Sequence, residues 1–230
     1  MQNGATSFNF GRAFSGWWWL LGRDARQLVG ISVLWAVASF ALMSFDYSIG
    51  LTQGLGLLSV SFVVEPLFCA AVCVWALNDH PTGMGSAFGT ASGRYLALLV
   101  AYLISMIGTA IGLVLLILPG LALAVLWSVW LPVLLAEQKG PVDALRTSFI
   151  YVKQHFWSVC GLFVIYASGL IALIALMATL NLGSETGAPG WGLVFNAVAG
   201  VPISIIGIYL NVAIYRELIA ADGPDLTAFD

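Results

Sequence analysis

The sequence predicts an all-α, polytopic membrane helix bundle: six transmembrane helices accompanied by interfacial amphipathic helices. Three observations predict it. Of 230 residues, 60% are hydrophobic and only 8% charged, against roughly 25% charged in a soluble domain, so lipid must be the solvent for much of the surface. The apolar residues fall into six stretches of about the length that spans a bilayer core, which takes about 20 residues at about 1.5 Å rise each. All eight Lys and Arg fall on one side when those six stretches are threaded through a membrane.

The first charge-free stretch covers 28–45, and the second, 54–77, contains one acid, Glu65. The longest charge-free run, 95–136, is too long for one helix. Pro119-Gly120 divides it, because proline suits a helix start, where its missing N–H is not needed. It reads as two spans, 95–118 and 119–136, joined by a very tight turn. A fifth span covers 156–180 and a sixth 191–215, and the Gly and Pro of the polar segment 181–190 mark the loop between them. The whole of 1–230 reads as a single integral membrane domain. The first apolar stretch follows three arginines and no small-residue cleavage site follows it, so the N-terminus is expected to be retained.

Orientation follows from the bases. With six spans, Arg12, Arg23, Arg26, Arg94, Lys139, Arg146, Lys153 and Arg216 share a side with both termini, while the opposite loops hold Asp46 and Glu185 and no base. The positive-inside rule makes the basic side cytoplasmic.

Two segments rich in aromatics and bases precede odd-numbered spans. Trp17, Trp18 and Trp19 lead to Arg23 and Arg26; Phe149, Tyr151, Phe156 and Trp157 surround Arg146, Lys153 and His155. Aromatic rings settle at headgroup depth and bases reach lipid phosphates, so 17–26 and 144–155 are expected to form helices along the cytoplasmic membrane face. Ala13-Phe14, Ala87-Phe88 and Ala144-Leu145 each open such a segment, and each even-numbered span carries a proline: Pro66, Pro132 and Pro202. The pattern suggests three copies of an interfacial helix followed by a transmembrane hairpin. The plainer alternative is that membrane helices resemble one another and often contain proline.

The residues Leu118-Pro119-Gly120, Leu134-Leu135-Ala136-Glu137, Lys139-Gly140-Pro141, Ala144-Leu145-Arg146-Thr147-Ser148 and Phe156-Trp157, with the ending Tyr215-Arg216-Glu217-Leu218, carry a resemblance. The chain resembles the membrane domain associated with some glycerophosphoryl diester phosphodiesterases and related uncharacterised bacterial integral membrane proteins. The resemblance implies a six-helix fold in a bacterial inner membrane. It does not imply phosphodiester cleavage, which in those proteins belongs to a separate soluble domain. The shared motifs read as structural: Pro119 and Gly120 set a turn, Glu137 and Arg146 link the ends of two helices, and Trp157 is an interfacial anchor.

No metalloprotease, hydrolase-elbow or phosphate-loop motif is present in the sequence, and neither metal nor cofactor is expected. His80 and His155 read as solvated loop residues. Gly108 and Gly112 form a small-residue pair that suits internal helix packing or, alternatively, a homodimer face. Cys69 and Cys73 share a helical face with Glu65, but three such positions spread over about 12 Å, too far to hold one ion. The three cysteines, Cys160 included, imply no disulfide framework.

Glu65, followed by Pro66, is the residue that stands out. Acids inside a membrane are costly and often functional. It is expected to face the bundle interior, with Ser105, Thr109, Tyr166, Ser168 and Ser204 as candidate polar partners. Three functions remain open: a non-enzymatic protein that organises or senses lipid or partner proteins, a small-solute transporter linked to protons through Glu65, and a membrane-embedded lipid enzyme. Expected partners are membrane lipids and either another membrane protein or a second copy of the chain, and not nucleic acid.

Overall fold

The computed structural model describes residues 8–48, 60–78, 83–179 and 200–222. Among them no strand occurs, and nine helices follow in order: α1 (Phe10–Ser48), α2 (Val60–Leu77), α3 (Met84–Gly93), α4 (Tyr95–Leu115), α5 (Ile117–Leu126), α6 (Trp130–Ala136), α7 (Pro141–Gln154), α8 (Phe156–Thr179) and α9 (Val201–Asp222). Five stretches are long and apolar enough to cross a membrane: Phe10–Leu42, Tyr95–Leu115, Ile117–Ala136, Phe156–Leu176 and Val201–Ala221. They answer to five of the six expected spans. The remaining one, 54–77, corresponds to α2, whose apolar part Val64–Leu77 is shorter. Residues 49–59 lie outside the described residues, as do Glu185 and the expected loop at 181–190.

The first departure from expectation is α1. Residues 17–26 do not form a helix of their own ahead of the first span; both lie on one unbroken helix of 39 residues. The reason is local. Arg26, Gln27 and Leu28 are all good helix formers, and nothing between the two segments interrupts the backbone ladder. At about 1.5 Å per residue α1 is about 58 Å long, nearly twice a bilayer core of about 30 Å. The other two junctions do break. Arg94 separates α3 from α4 with ψ 19°, and His155 ends α7 with ψ 24°. Residues 144–154 are helical in α7, which buries Ala144, Leu145, Ser148 and Val152.

The turn between the third and fourth spans sits slightly earlier than expected. Only Leu116 is extended, with φ −158° and ψ 127°, and α5 starts at Ile117. Pro119 is the third residue of α5, within the first turn, where an N–H has no helical partner to lose. Gly120 is buried because α4 and α5 touch backbone to backbone there. A Cβ on Gly112 would lie 2.8 Å from the Gly120 Cα, and one on Gly120 would run into the Leu113 backbone nitrogen. A Cβ on Gly108 would lie 2.5 Å from the Trp127 ring. Both small residues of the Gly108–Gly112 pair are therefore used inside the chain.

The fourth span is broken over 127–129. Pro132 explains the break, since its ring clashes with a helical carbonyl four residues back. Ser148, of α7, donates its hydroxyl to the Leu126 carbonyl at 2.9 Å and so satisfies one end of the break. Two arginines close helix ends from a distance. Arg216 donates to the carbonyls of Ala76 and Leu77 at the end of α2, at 3.1 and 2.9 Å. Arg94 donates to the carbonyls of Leu134, Gln138 and Lys139 at 3.0, 2.7 and 3.1 Å. The last four carbonyls of a helix lack ladder partners, and a cation there also meets the negative end of the helix dipole. Arg94 moreover holds a turn in which Gln138 has φ 53°.

The core gathers on α9, where Tyr209, Leu210, Val212, Ala213, Ile214, Tyr215 and Leu218 are all buried. α1 packs along it, and α2 also lies against both. α1 and α2 run antiparallel: Trp35 stacks on Phe68 with centroids 5.7 Å apart, and Ile31, one turn earlier, meets Ala71, Val72 and Trp75 around a small cavity.

Candidate functional site

A cavity of about 500 Å³ lies among α2, α4, the 127–129 break, α6 and α9. Its wall is mostly apolar, but Cys69, Tyr102, Ser105, Thr109, Ser128 and Asn211 bring polar atoms to it. Each stands in an apolar helix or at the 127–129 break. Ser128 Oγ and Asn211 Oδ1 are buried without a hydrogen-bond partner among the described residues. A buried polar atom left unmatched costs about 1–3 kcal/mol, and such atoms are few in native structures. Both belong to residues that line this cavity, although the two atoms themselves are closed off from its space.

Glu65 is at the edge of this site and not in the interior. The residue is exposed, whereas Pro66 is buried and lines the cavity. One residue turns a helix by about 100°, so burying Pro66 rotates Glu65 outward; this corrects the expectation that Glu65 faces inward. It remains close by: Cys69, one turn on and on the same face, lines the cavity. Of the candidate partners, Ser105 and Thr109 are on the cavity wall. Tyr166 instead donates to the Ile203 carbonyl at 2.9 Å, and Ser168 to the Ile165 carbonyl of its own helix at 2.8 Å. Ser204 is half-buried on α9. Because Glu65 is exposed, Glu65→Gln and Glu65→Ala are both expected to change stability by no more than about 0.5 kcal/mol. Thermal unfolding in detergent measures this, and a loss well above 1 kcal/mol on removing the side chain would show a structural role instead.

A second polar cluster joins α1 to α9. Asp24 is only 2% exposed. Arg23 grips it through Nε and Nη2 at 2.8 and 2.7 Å, and the Tyr209 hydroxyl donates to its Oδ2 at 2.9 Å. Nearer the N-terminus, Arg12 donates twice to Glu217 Oε1, at 3.0 and 2.8 Å, and the Asn9 N–H adds a third bond at 3.0 Å. Trp17 Nε1 donates to the Ile206 carbonyl at 3.2 Å. Sequence reading missed Asp24, and named Glu217 only as part of the closing motif. Their only signal is an acid standing among aromatics and bases, which looks the same on a solvated surface.

A third cluster forms around Glu137. It pairs with Lys139 at 2.8 Å and accepts from the hydroxyls of Tyr215 at 3.1 Å and Tyr151 at 3.3 Å. Lys139 also donates to Thr147 Oγ1 at 2.9 Å. Glu137 does tie helix ends together, but through Lys139 and two tyrosines; Arg146, expected in that role, is exposed and is not one of its partners. His155 stacks on Phe8 at 5.5 Å, so it is not simply solvated, and His80 lies outside the described residues. Trp157 is 83% exposed, with its ring edge-on to Phe156. Among the described residues no group of three or more His, Cys, Asp or Glu is arranged to hold a metal ion.

Among the described residues this is an all-helical protein with five stretches of membrane-crossing length and composition, and a partly polar cavity lined from α2, α4, α6 and α9. Family models, curated proteins and solved structures offer no match to the chain.

Proposed function

We propose that this chain is a multi-pass protein of the bacterial inner membrane, with six spans and both termini cytoplasmic, that takes a small hydrogen-bonding solute into the bilayer and passes it across. The observation that carries this reading is the cavity of about 500 Å³ whose wall gathers Ser105, Thr109, Ser128 and Asn211 among apolar helices. Ligand sites in helix bundles are mostly apolar hollows with a few placed polar groups, and irregular backbone such as 127–129 is tolerated at membrane depth where it lines a cavity. Glu65 supplies a titratable group at the edge, the type of residue that marks proton and solute paths in membranes.

Cys69 is a built-in reporter. In protein carrying Cys73→Ala and Cys160→Ala, a small water-soluble methanethiosulfonate is expected to modify Cys69 in native membranes. Thr109→Trp, which fills the hollow, is expected to block that modification. If Cys69 stays unreactive until the protein is unfolded, the cavity admits no water-borne solute and the reading falls. The orientation has its own check: cysteines placed at Lys139 and at Asp46 should be labelled from the cytoplasmic and the opposite side respectively, and labelling of both from one side would overturn the six-span arrangement.

A second reading, a protein that organises or senses lipid, is favoured by the exposed aromatics beside bases. Trp18 and Trp19 are 68% and 59% exposed, and Arg23 lies over the Trp19 ring at 5.4 Å. This is the chemistry of a headgroup-level anchor.

A further inference from the structure

We infer that the groove between α1 and α9 is a binding site for one anionic phospholipid, with its phosphate on Arg26 and an acyl chain laid along Val29, Val33 and Val37. This deepens the lipid reading and is independent of the cavity.

The groove encloses about 780 Å³ and is almost entirely apolar. Its α1 wall carries Gly22, Val29, Val33 and Val37, and its α9 wall is Pro202, Ile205 and Ile206. Val29, Val33 and Val37 are 66%, 58% and 62% exposed. An open apolar channel of that kind has no use for water, and in a bilayer its natural occupant is hydrocarbon.

Charge makes the occupant specific. Arg26 projects from the same side of α1 as Val33 and Val37, which follow it at helical spacings of seven and eleven residues. It is exposed, and among the described residues it takes no part in an ion pair, unlike Arg12, Arg23 and Lys139. A cation beside an apolar channel complements a phosphate attached to an acyl chain.

Depth fits as well. Ile31 lies against Val72 in the antiparallel α1–α2 pair, so five residues further along each helix Arg26 comes level with Leu77, the end of α2 that Arg216 caps. A helix side chain leans toward its own N-terminus, which for Arg26 is the side expected to be cytoplasmic. From Arg26 to Val37 the helix rises about 16 Å, close to half of a core about 30 Å thick. Headgroup and chain of a single leaflet therefore match base and groove in turn. Gly22 leaves the groove mouth open, since a Cβ placed there meets nothing within 4 Å.

Native mass spectrometry of the full chain in detergent, titrated with phosphatidylglycerol or phosphatidylcholine, tests this. The unaltered chain is expected to hold one phosphatidylglycerol at least about fivefold more tightly than phosphatidylcholine, the size of one base–headgroup attraction. Arg26→Gln is expected to remove that preference while leaving phosphatidylcholine binding unchanged. Lys153→Gln, the same charge removed elsewhere, is expected to keep it. Val33→Trp is expected to weaken both lipids by filling the path of the chain; if that variant does not fold, the Arg26 comparison decides alone. Equal affinity for the two lipids in the unaltered chain, or a preference that survives Arg26→Gln, overturns the inference. Retention of phosphatidylcholine in either case would leave the broader lipid reading standing.

Discussion

Asp24→Ala is expected to destabilise the folded protein by about 3–5 kcal/mol, the usual result of removing one partner from a buried ion pair. Asp24 is 2% exposed and the Arg23 side chain only 18%. Removing the carboxylate leaves the guanidinium without the group it grips through two nitrogens, and leaves the Tyr209 hydroxyl without its acceptor. Water does not readily reach these groups to compensate. Tyr209→Phe removes a single bond to the same carboxylate and should cost less, about 1–3 kcal/mol. Reversible unfolding in mixed micelles measures both. The double variant is expected to cost clearly less than the sum, because both substitutions disrupt one network. Additive costs, or an Asp24→Ala protein as stable as the parent, would show that the cluster does not hold α1 to α9.

Five of the six expected spans were legible because their signal is additive: a long run of mostly apolar residues outweighs any single exception. Pro119-Gly120 was legible because proline and glycine have few other uses in an apolar run, although the turn itself falls on Leu116. The continuity of α1 was not legible. The composition of 17–26 changes from that of 28–45, and composition suggests a boundary, but a helix ends only where its backbone ladder is interrupted, and nothing interrupts it there. The candidate site divides along similar lines. Glu65 stands out because a charge in an apolar stretch is conspicuous, but which way it faces depends on the burial of its neighbour Pro66. Ser128 and Asn211 are uncharged and common in membrane helices, so only their convergence on one cavity gives them meaning. The Asp24–Tyr209 contact joins residues 185 positions apart, a pairing that no local pattern encodes. Ser148 and Thr147 are engaged with Leu126 and Lys139, contacts that no local pattern in 144–148 announces.

Gly120→Leu is expected to be more damaging still, and to prevent the native pairing of α4 with α5. Overpacking a core by a few methylenes typically costs 1–3 kcal/mol because side chains and backbone can shift. Here the first added carbon meets backbone, not a movable side chain. A Cβ on Gly120 would run into the Leu113 nitrogen and lie 2.7 Å from the Gly112 carbonyl carbon. Only the single extended residue Leu116 joins the two helices, so they cannot separate without rebuilding the turn. Small residues at such crossings let helices approach closely where lipid supplies no hydrophobic drive. The expected outcome is loss of monodisperse protein after extraction, with Gly120→Ala impaired in the same direction. Pro119→Ala provides the contrast. Pro119 is exposed and sits in the first turn of α5, where an added N–H is tolerated, so it is expected to remain within about 1 kcal/mol of the parent. If Gly120→Leu extracts and unfolds like the parent, the α4–α5 contact is looser than the backbone crossing requires. The wall that α4 gives to the cavity through Ser105, Thr109 and Leu113 would then lack a rigid support.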